Sequence, residues 1–193
     1  MTISVFDLFR IGIGPSSSHT VGPMRAARLF LQRVQEQQQL ADVGGVIAHL
    51  YGSLAATGVG HGTVSAVVLG LAGAEPSTLD PDEVPVLLAA VEGTGTLHLL
   101  GKTPVPFHAH SAIVMHPDET LPGHPNGMRF EAFGHDGALL AEHRYYSVGG
   151  GFVVDDTQID ATIDTDTTRV PYPFSSGAEL LAMCANAGLP ISQ

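Results

Sequence analysis

The chain has 193 residues, 44% of them hydrophobic, with 19 acidic against 8 basic side chains and a formal charge of −11. That length holds one domain with a proper core, or one domain plus part of another, and the second is expected here. The acidic balance excludes a nucleic-acid surface, which needs a basic stripe to neutralise phosphates, and it disfavours docking on anionic lipid.

Residues 4–11 read as a short helix with Val5, Leu8 and Phe9 on one side. Asp7 lies within it and no apolar run leads to a small-residue cleavage site, so it is no secretory signal and the expected location is the cytoplasm. Next comes Gly14-Pro15-Ser16-Ser17-Ser18-His19-Thr20, where hydroxyls and an imidazole meet the unpaired N–H groups of a helix start. Such a loop attracts a carboxylate or phosphate. The plainer reading is that Ser18 or Thr20 caps the helix, for which one hydroxyl suffices. The helix itself is predicted over residues 21–38, with Pro23 in its first turn and Met24, Ala27, Leu31 and Val34 on one face.

From residue 43 to residue 74 there is no Asp, Glu, Lys or Arg, yet the stretch is no membrane span. Repeated glycines with His49, Ser53, Thr57 and His61 divide it into a buried strand over 46–50, a glycine turn and a buried helix over 61–71. A further helix is predicted over 81–91, entered through Asp80 as N-cap. Alternating segments at 96–100, 108–116, 128–133 and 139–147 then read as antiparallel strands, the last two joined by a hairpin at 134–137. Early helices and later strands predict an α+β domain with a mixed β-sheet and helices packed on it, not a doubly wound one.

Five Asp and five Thr crowd residues 155–169, which read as a solvated linker. A calcium loop from Asp155, Asp160, Asp164 and Asp166 lacks the glycine of an EF-hand turn. Residues 178–187 form an amphipathic segment after Pro173-Phe174-Ser175-Ser176-Gly177. The organisation expected is therefore a domain over 1–154, a linker over 155–175 and the start of another domain over 176–193.

Four segments in order carry a family resemblance: residues 14–23, Gly60-His61-Gly62-Thr63, Leu121 to Phe130 with Gly123-His124-Pro125-Asn126-Gly127 at its centre, and Tyr145 to Phe152. Together they resemble the β domain of the bacterial iron–sulfur L-serine dehydratases, over nearly the whole chain. The family usually continues Gly-His-Gly-Thr with an Asp, where this chain has Val64. In fold, the resemblance extends to the regulatory substrate-binding domain of some phosphoglycerate dehydrogenases.

The resemblance implies a lyase part that converts L-serine to pyruvate and ammonia with a catalytic α domain as partner, in a homodimer. It also implies a [4Fe–4S] cluster, which takes roughly four ligands, usually thiolates. Cys184 is the only cysteine here, so the cluster is expected on the α domain and no metal on this chain. The Pro-Phe-Ser-Ser-Gly segment is similar to the opening of that α domain. The chain then reads either as an excised piece or as one half of a two-chain enzyme.

Removing water from L-serine requires a grip on its carboxylate, a base for the Cα proton and an acid for the departing hydroxyl. His61, between two glycines at a helix start, is the first choice for an acid/base group, against a plain capping histidine. His19 is either a second acid/base group or a donor to the carboxylate. Ser16, Ser17, Ser18, Thr20 and Thr63 offer hydroxyls and Asn126 an amide for substrate binding, or else satisfy local backbone groups. Gly149-Gly150-Gly151 permits close backbone approach or marks a bulge. Arg129 binds a carboxylate or makes a cross-strand ion pair. His108, His110 and His116 supply no complete zinc set. The rival to the enzyme reading is a non-catalytic sensor of small anions or amino acids.

Overall fold

The structure is a computed structural model that describes residues 11–161, 172, 174 and 176–191. Most of the predicted first helix, the Asp164 and Asp166 positions and most of the expected linker lie outside the described residues. Two compact units are present, one within Ile3–Ile163 and a smaller one that holds the last helix.

The larger unit is α+β. A π-helical turn, Ser17–Val21, runs directly into α1, Gly22–Glu36. Then come β1, Val43–Tyr51; α2, Gly52–Thr57; α3, Thr63–Leu71; and α4, Glu83–Thr94. The strands β2, Thr96–Leu99, and β3, Thr103–Pro106, form a two-stranded ribbon. After α5, Ala109–Ala112, come β4, Ile113–His116; β5, Gly127–Gly134; β6, Leu139–Gly149; β7, Phe152–Asp155; and α6, Asp156–Ala161. The smaller unit contributes α7, Gly177–Ala187, capped by the Ser176 hydroxyl.

The main sheet has the order β4-β1-β5-β6-β7. Only β1 and β4 are parallel, so the sheet is mixed, and β1 is inserted between two later strands instead of starting a simple meander. One row across it, Ile113, Ala48, Phe130 and His143, faces the core. Phe30 of α1 stacks on Phe130 with ring centroids 5.6 Å apart and meets the edge of His143. The apolar stripe expected on α1, Met24, Ala27, Leu31 and Val34, is fully buried, and so is Phe30, which the sequence reading did not include.

Burial of β1 and α3 accounts for much of the uncharged stretch, although the turn between them, with Val59, is exposed. The core residues of β1 are buried, and seven of the nine residues of α3 are. Gly70 lets α3 approach α1 closely, since a Cβ there would collide with the Met24 carbonyl.

Three boundaries differ from the sequence reading. Residues 108–116 are not one strand, because α5 precedes β4; His108 and His110 therefore share no strand face. Asp80 does not cap α4; its carboxylate accepts from the Asp82 N–H in the preceding turn, and Asp82 is the N-cap residue. Residues 155–161 are ordered structure, with Asp155 closing β7 and accepting from the Thr157 and Gln158 N–H groups that open α6. No helix among the described residues is long and apolar enough to cross a membrane.

Candidate functional site

The Ser/His loop is built around a π-type turn, in which the Val21 N–H reaches the Ser16 carbonyl five residues back, at 3.2 Å. Single π turns like this one often mark functional sites. Ser16, not Ser18 or Thr20, is the N-cap: its hydroxyl accepts from the His19 N–H at 3.1 Å. Pro23 falls in the first turn of α1 as read from the sequence.

This turn leaves the other hydroxyls free for longer-range bonds. His19 lies between two serines, its Nδ1 2.9 Å from Ser18 Oγ and its Nε2 2.9 Å from Ser53 Oγ. His61 lies beside it, the rings 5.0 Å apart. Its Nδ1 is 3.0 Å from the Thr57 carbonyl. A carbonyl only accepts, so the neutral His61 ring carries its proton on Nδ1 and keeps a lone pair on Nε2. Burial, and then the neighbouring His61, holds His19 below the ordinary histidine pKa, with the Ser53 backbone acting in the opposite sense.

The two histidine backbones are stitched to each other. Thr20 Oγ1 donates to the His61 carbonyl at 2.8 Å, and Thr63 Oγ1 donates to the His19 carbonyl at 2.6 Å. Both threonines are buried. Gly62, left-handed with φ +67°, turns the chain into α3 between them.

Asn126 reaches the loop indirectly. Its amide donates to the Ser147 carbonyl at 3.2 Å, and Ser147 Oγ donates to the Ser18 carbonyl at 2.7 Å. The glycine run at 149–151 is left-handed throughout, and Arg25 donates to the Gly151 carbonyl at 3.0 Å. The run passes close to the π turn, for a Cβ on Gly151 would stand 3.0 Å from Val21.

His19 and Thr20 therefore meet His61 and Thr63, Ser16 and Ser18 join through His19, and Asn126 joins through Ser147. Two members were missed. Ser53 stands 34 positions from His19 in an otherwise uncharged stretch and gave no signal, whereas Ser147, fully buried inside an aromatic strand segment, was legible as a hydroxyl in need of a partner.

The other candidates are taken up elsewhere. Arg129 sits 3.4 Å from Glu131 and 3.8 Å from Glu142, a cross-strand ion network. His116 stacks on Tyr51 and bonds to His49 at 2.9 Å. Among the described residues no group of three or more His, Cys, Asp or Glu side chains is arranged to hold a metal. Val64 packs against the core and lines a cavity of about 390 Å³ with Val68, Leu88, Val91 and Phe107, which none of the Ser/His-site residues lines.

Residues 4–158 match the serine dehydratase beta chain family. The whole chain is 49% identical to an L-serine dehydratase of Streptomyces coelicolor, of which it covers 42%, and 47% identical to one of Mycobacterium tuberculosis, of which it covers 41%. Over 98% of its length it is 46% identical to the L-serine dehydratase TdcG of Escherichia coli, again covering 41% of that protein. The chain thus spans about two fifths of the length of these relatives. On a match that covers most of its length, the chain belongs to the serine dehydratase beta chain family.

Proposed function

We propose that this chain is the substrate-holding half of an L-serine dehydratase, working with an α domain that supplies the rest of the active site. The observation that carries this reading is the pair of imidazoles 5.0 Å apart behind the Ser/His loop, one of them with an unprotonated nitrogen.

In the reaction, L-serine loses its Cα proton and its β-hydroxyl as water, and the resulting aminoacrylate hydrolyses to pyruvate and ammonia. His61 Nε2 is the proton acceptor, its tautomer fixed by the Thr57 carbonyl. Ser16, Ser17 and Ser18, at the positive end of α1, grip the carboxylate, with His19 orienting Ser18. Thr20, Thr63 and Asn126 serve by fixing the backbone that carries these groups, since their donors are engaged with the carbonyls of His61, His19 and Ser147. The acidic chain repels an anion at long range, so these local donors do the capturing.

This chain's residues do not fit a four-iron cluster. Its one cysteine, Cys184, leaves the thiolate set incomplete, so the cluster and the group that receives the departing hydroxyl belong to the α domain. The decisive experiment places this chain with that domain and compares parent and His61→Ala for pyruvate formation from L-serine. Loss of turnover with the cluster absorbance intact supports the reading. Turnover near the parent value refutes it, as does brown, cluster-like absorbance in the chain by itself after anaerobic iron and sulfide reconstitution.

A further inference from the structure

We propose that Ser53 is a positioning residue for the His19–His61 pair, acting as the first of two clamps on a single short helix. It lies outside all four of the sequence motifs.

Both imidazoles are held by α2. At its first turn Ser53 Oγ meets His19 Nε2 at 2.9 Å, and at its end the Thr57 carbonyl meets His61 Nδ1 at 3.0 Å. The helix is closed between these points by the Thr57 hydroxyl, which donates to the Ser53 carbonyl at 2.8 Å. The ring separation is therefore set by the length of one helical turn and not by a flexible loop.

The start of α2 is itself fixed. Gly52 adopts φ +51°, a conformation that side chains resist, and its N–H donates to the Glu119 carbonyl at 2.8 Å. A Cβ at Gly52 would stand 2.6 Å from the Pro125 carbonyl, so the Pro-Asn segment presses directly on the turn that presents Ser53.

A neutral imidazole donates through one nitrogen and accepts through the other. With Ser18 at Nδ1 and Ser53 at Nε2, one serine receives a proton and the other gives one. The proton is assigned to Nδ1, donating to Ser18 Oγ, and the lone pair to Nε2, accepting from the Ser53 hydroxyl, which leaves the Ser18 O–H for the carboxylate. Ser53 then fixes the tautomer through which His19 orients Ser18, and it does so without touching substrate.

The test has two arms. Ring-nitrogen NMR of this chain reads the tautomer directly. The parent is expected to show a protonated Nδ1 and an unprotonated Nε2 at His19, Ser53→Ala to show the two shifts converging as tautomers average, and Ser53→Thr to restore the parental pair. Unchanged His19 shifts in Ser53→Ala overturn the proposal. The second arm rests on the dehydratase reading. With the α domain present, Ser53→Ala raises the KM for L-serine about five- to tenfold, the worth of one hydrogen bond, with kcat near the parent and recovery in Ser53→Thr. A fall in kcat with KM unchanged also overturns it. If the parent protein with its α domain makes no pyruvate from L-serine, the dehydratase reading fails, and the NMR arm still decides the role of Ser53.

Discussion

The imidazole rings of His19 and His61 lie 5.0 Å apart, tilted by 42°, although they are far apart in sequence and each is held by a different end of α2. The two rings are not equivalent. His61 Nδ1 meets the Thr57 carbonyl, while both nitrogens of His19 face serine hydroxyls.

This asymmetry predicts different kinetic signatures. With the α domain present, His61→Ala is expected to lower kcat by about 10²- to 10⁴-fold, the usual worth of a positioned acid/base group, with little change in KM. His19→Ala is expected to raise KM for L-serine more than it lowers kcat, because it disorders the serine hydroxyls. Steady-state kinetics of the two variants decide the matter, and the reverse pattern would exchange the two roles.

The crossed threonine bonds predict a stability effect that sequence reading would place at the substrate. Thr63→Val keeps the shape of a fully buried side chain but leaves the His19 carbonyl without its 2.6 Å donor. A loss of about 1–3 kcal/mol in urea unfolding is expected. Because Thr20→Val breaks the matching bond on the same pair of backbones, the double variant should lose less than the sum of the singles. Strict additivity would show that the two bonds act independently.

How much of this could be read in advance depended on the range of the interaction. The stripe of α1, the buried α3 and the β5–β6 hairpin follow from periodicity and turn chemistry, and each appears within a few residues of its expected bounds. Residues 108–116 misled because His-Ala-His-Ser alternates like a strand, whereas the His108 carbonyl receives the Ser111 and Ala112 N–H groups and winds a helical turn. In the site, the motif residues were visible by composition. Their pairing was not, because the Thr20–His61 and Thr63–His19 bonds join segments more than 40 residues apart and depend on how α1 and α3 cross. The same holds for Ser53. Periodicity reports which face a residue lies on, but not which distant ring it touches.

Gly22 gives a test of packing near the loop. Its missing side chain makes room for Ser147, whose hydroxyl donates to the Ser18 carbonyl, and a Cβ would overlap that side chain. Gly22 has a helical backbone, so Gly22→Ala would stabilise an exposed helix. Here it is expected to destabilise by about 1–3 kcal/mol through overpacking. Thermal melts separate the two signs, and Ser147→Ala in the same background should recover part of the loss. A gain in stability from Gly22→Ala alone would mean that the Ser147 contact yields freely.

The pH dependence of folding follows from four groups. Burial holds His19, His49 and His143 below their ordinary value of 6.5, helped by His61, Arg129 and Arg33 respectively and opposed at His49 by Glu131. Below that value the unfolded chain takes up protons that the folded chain resists, so the stability these rings contribute is present above pH 6.5 and is lost as pH falls. Asp155 acts lower on the scale. Burial pushes its carboxyl up, but the Thr157 hydroxyl, the Arg33 guanidinium at 2.9 Å and the α6 N–H groups outweigh it and hold it below 3.8. Its contribution is present above pH 3.8 and disappears only in stronger acid. The melting temperature is therefore expected to decline in two stages, and Asp155→Ala should remove the lower one while leaving the decline below pH 6.5 in place. A melting temperature that stays level from about pH 7.5 to about pH 5.5 would show that the three histidines protonate as readily folded as unfolded.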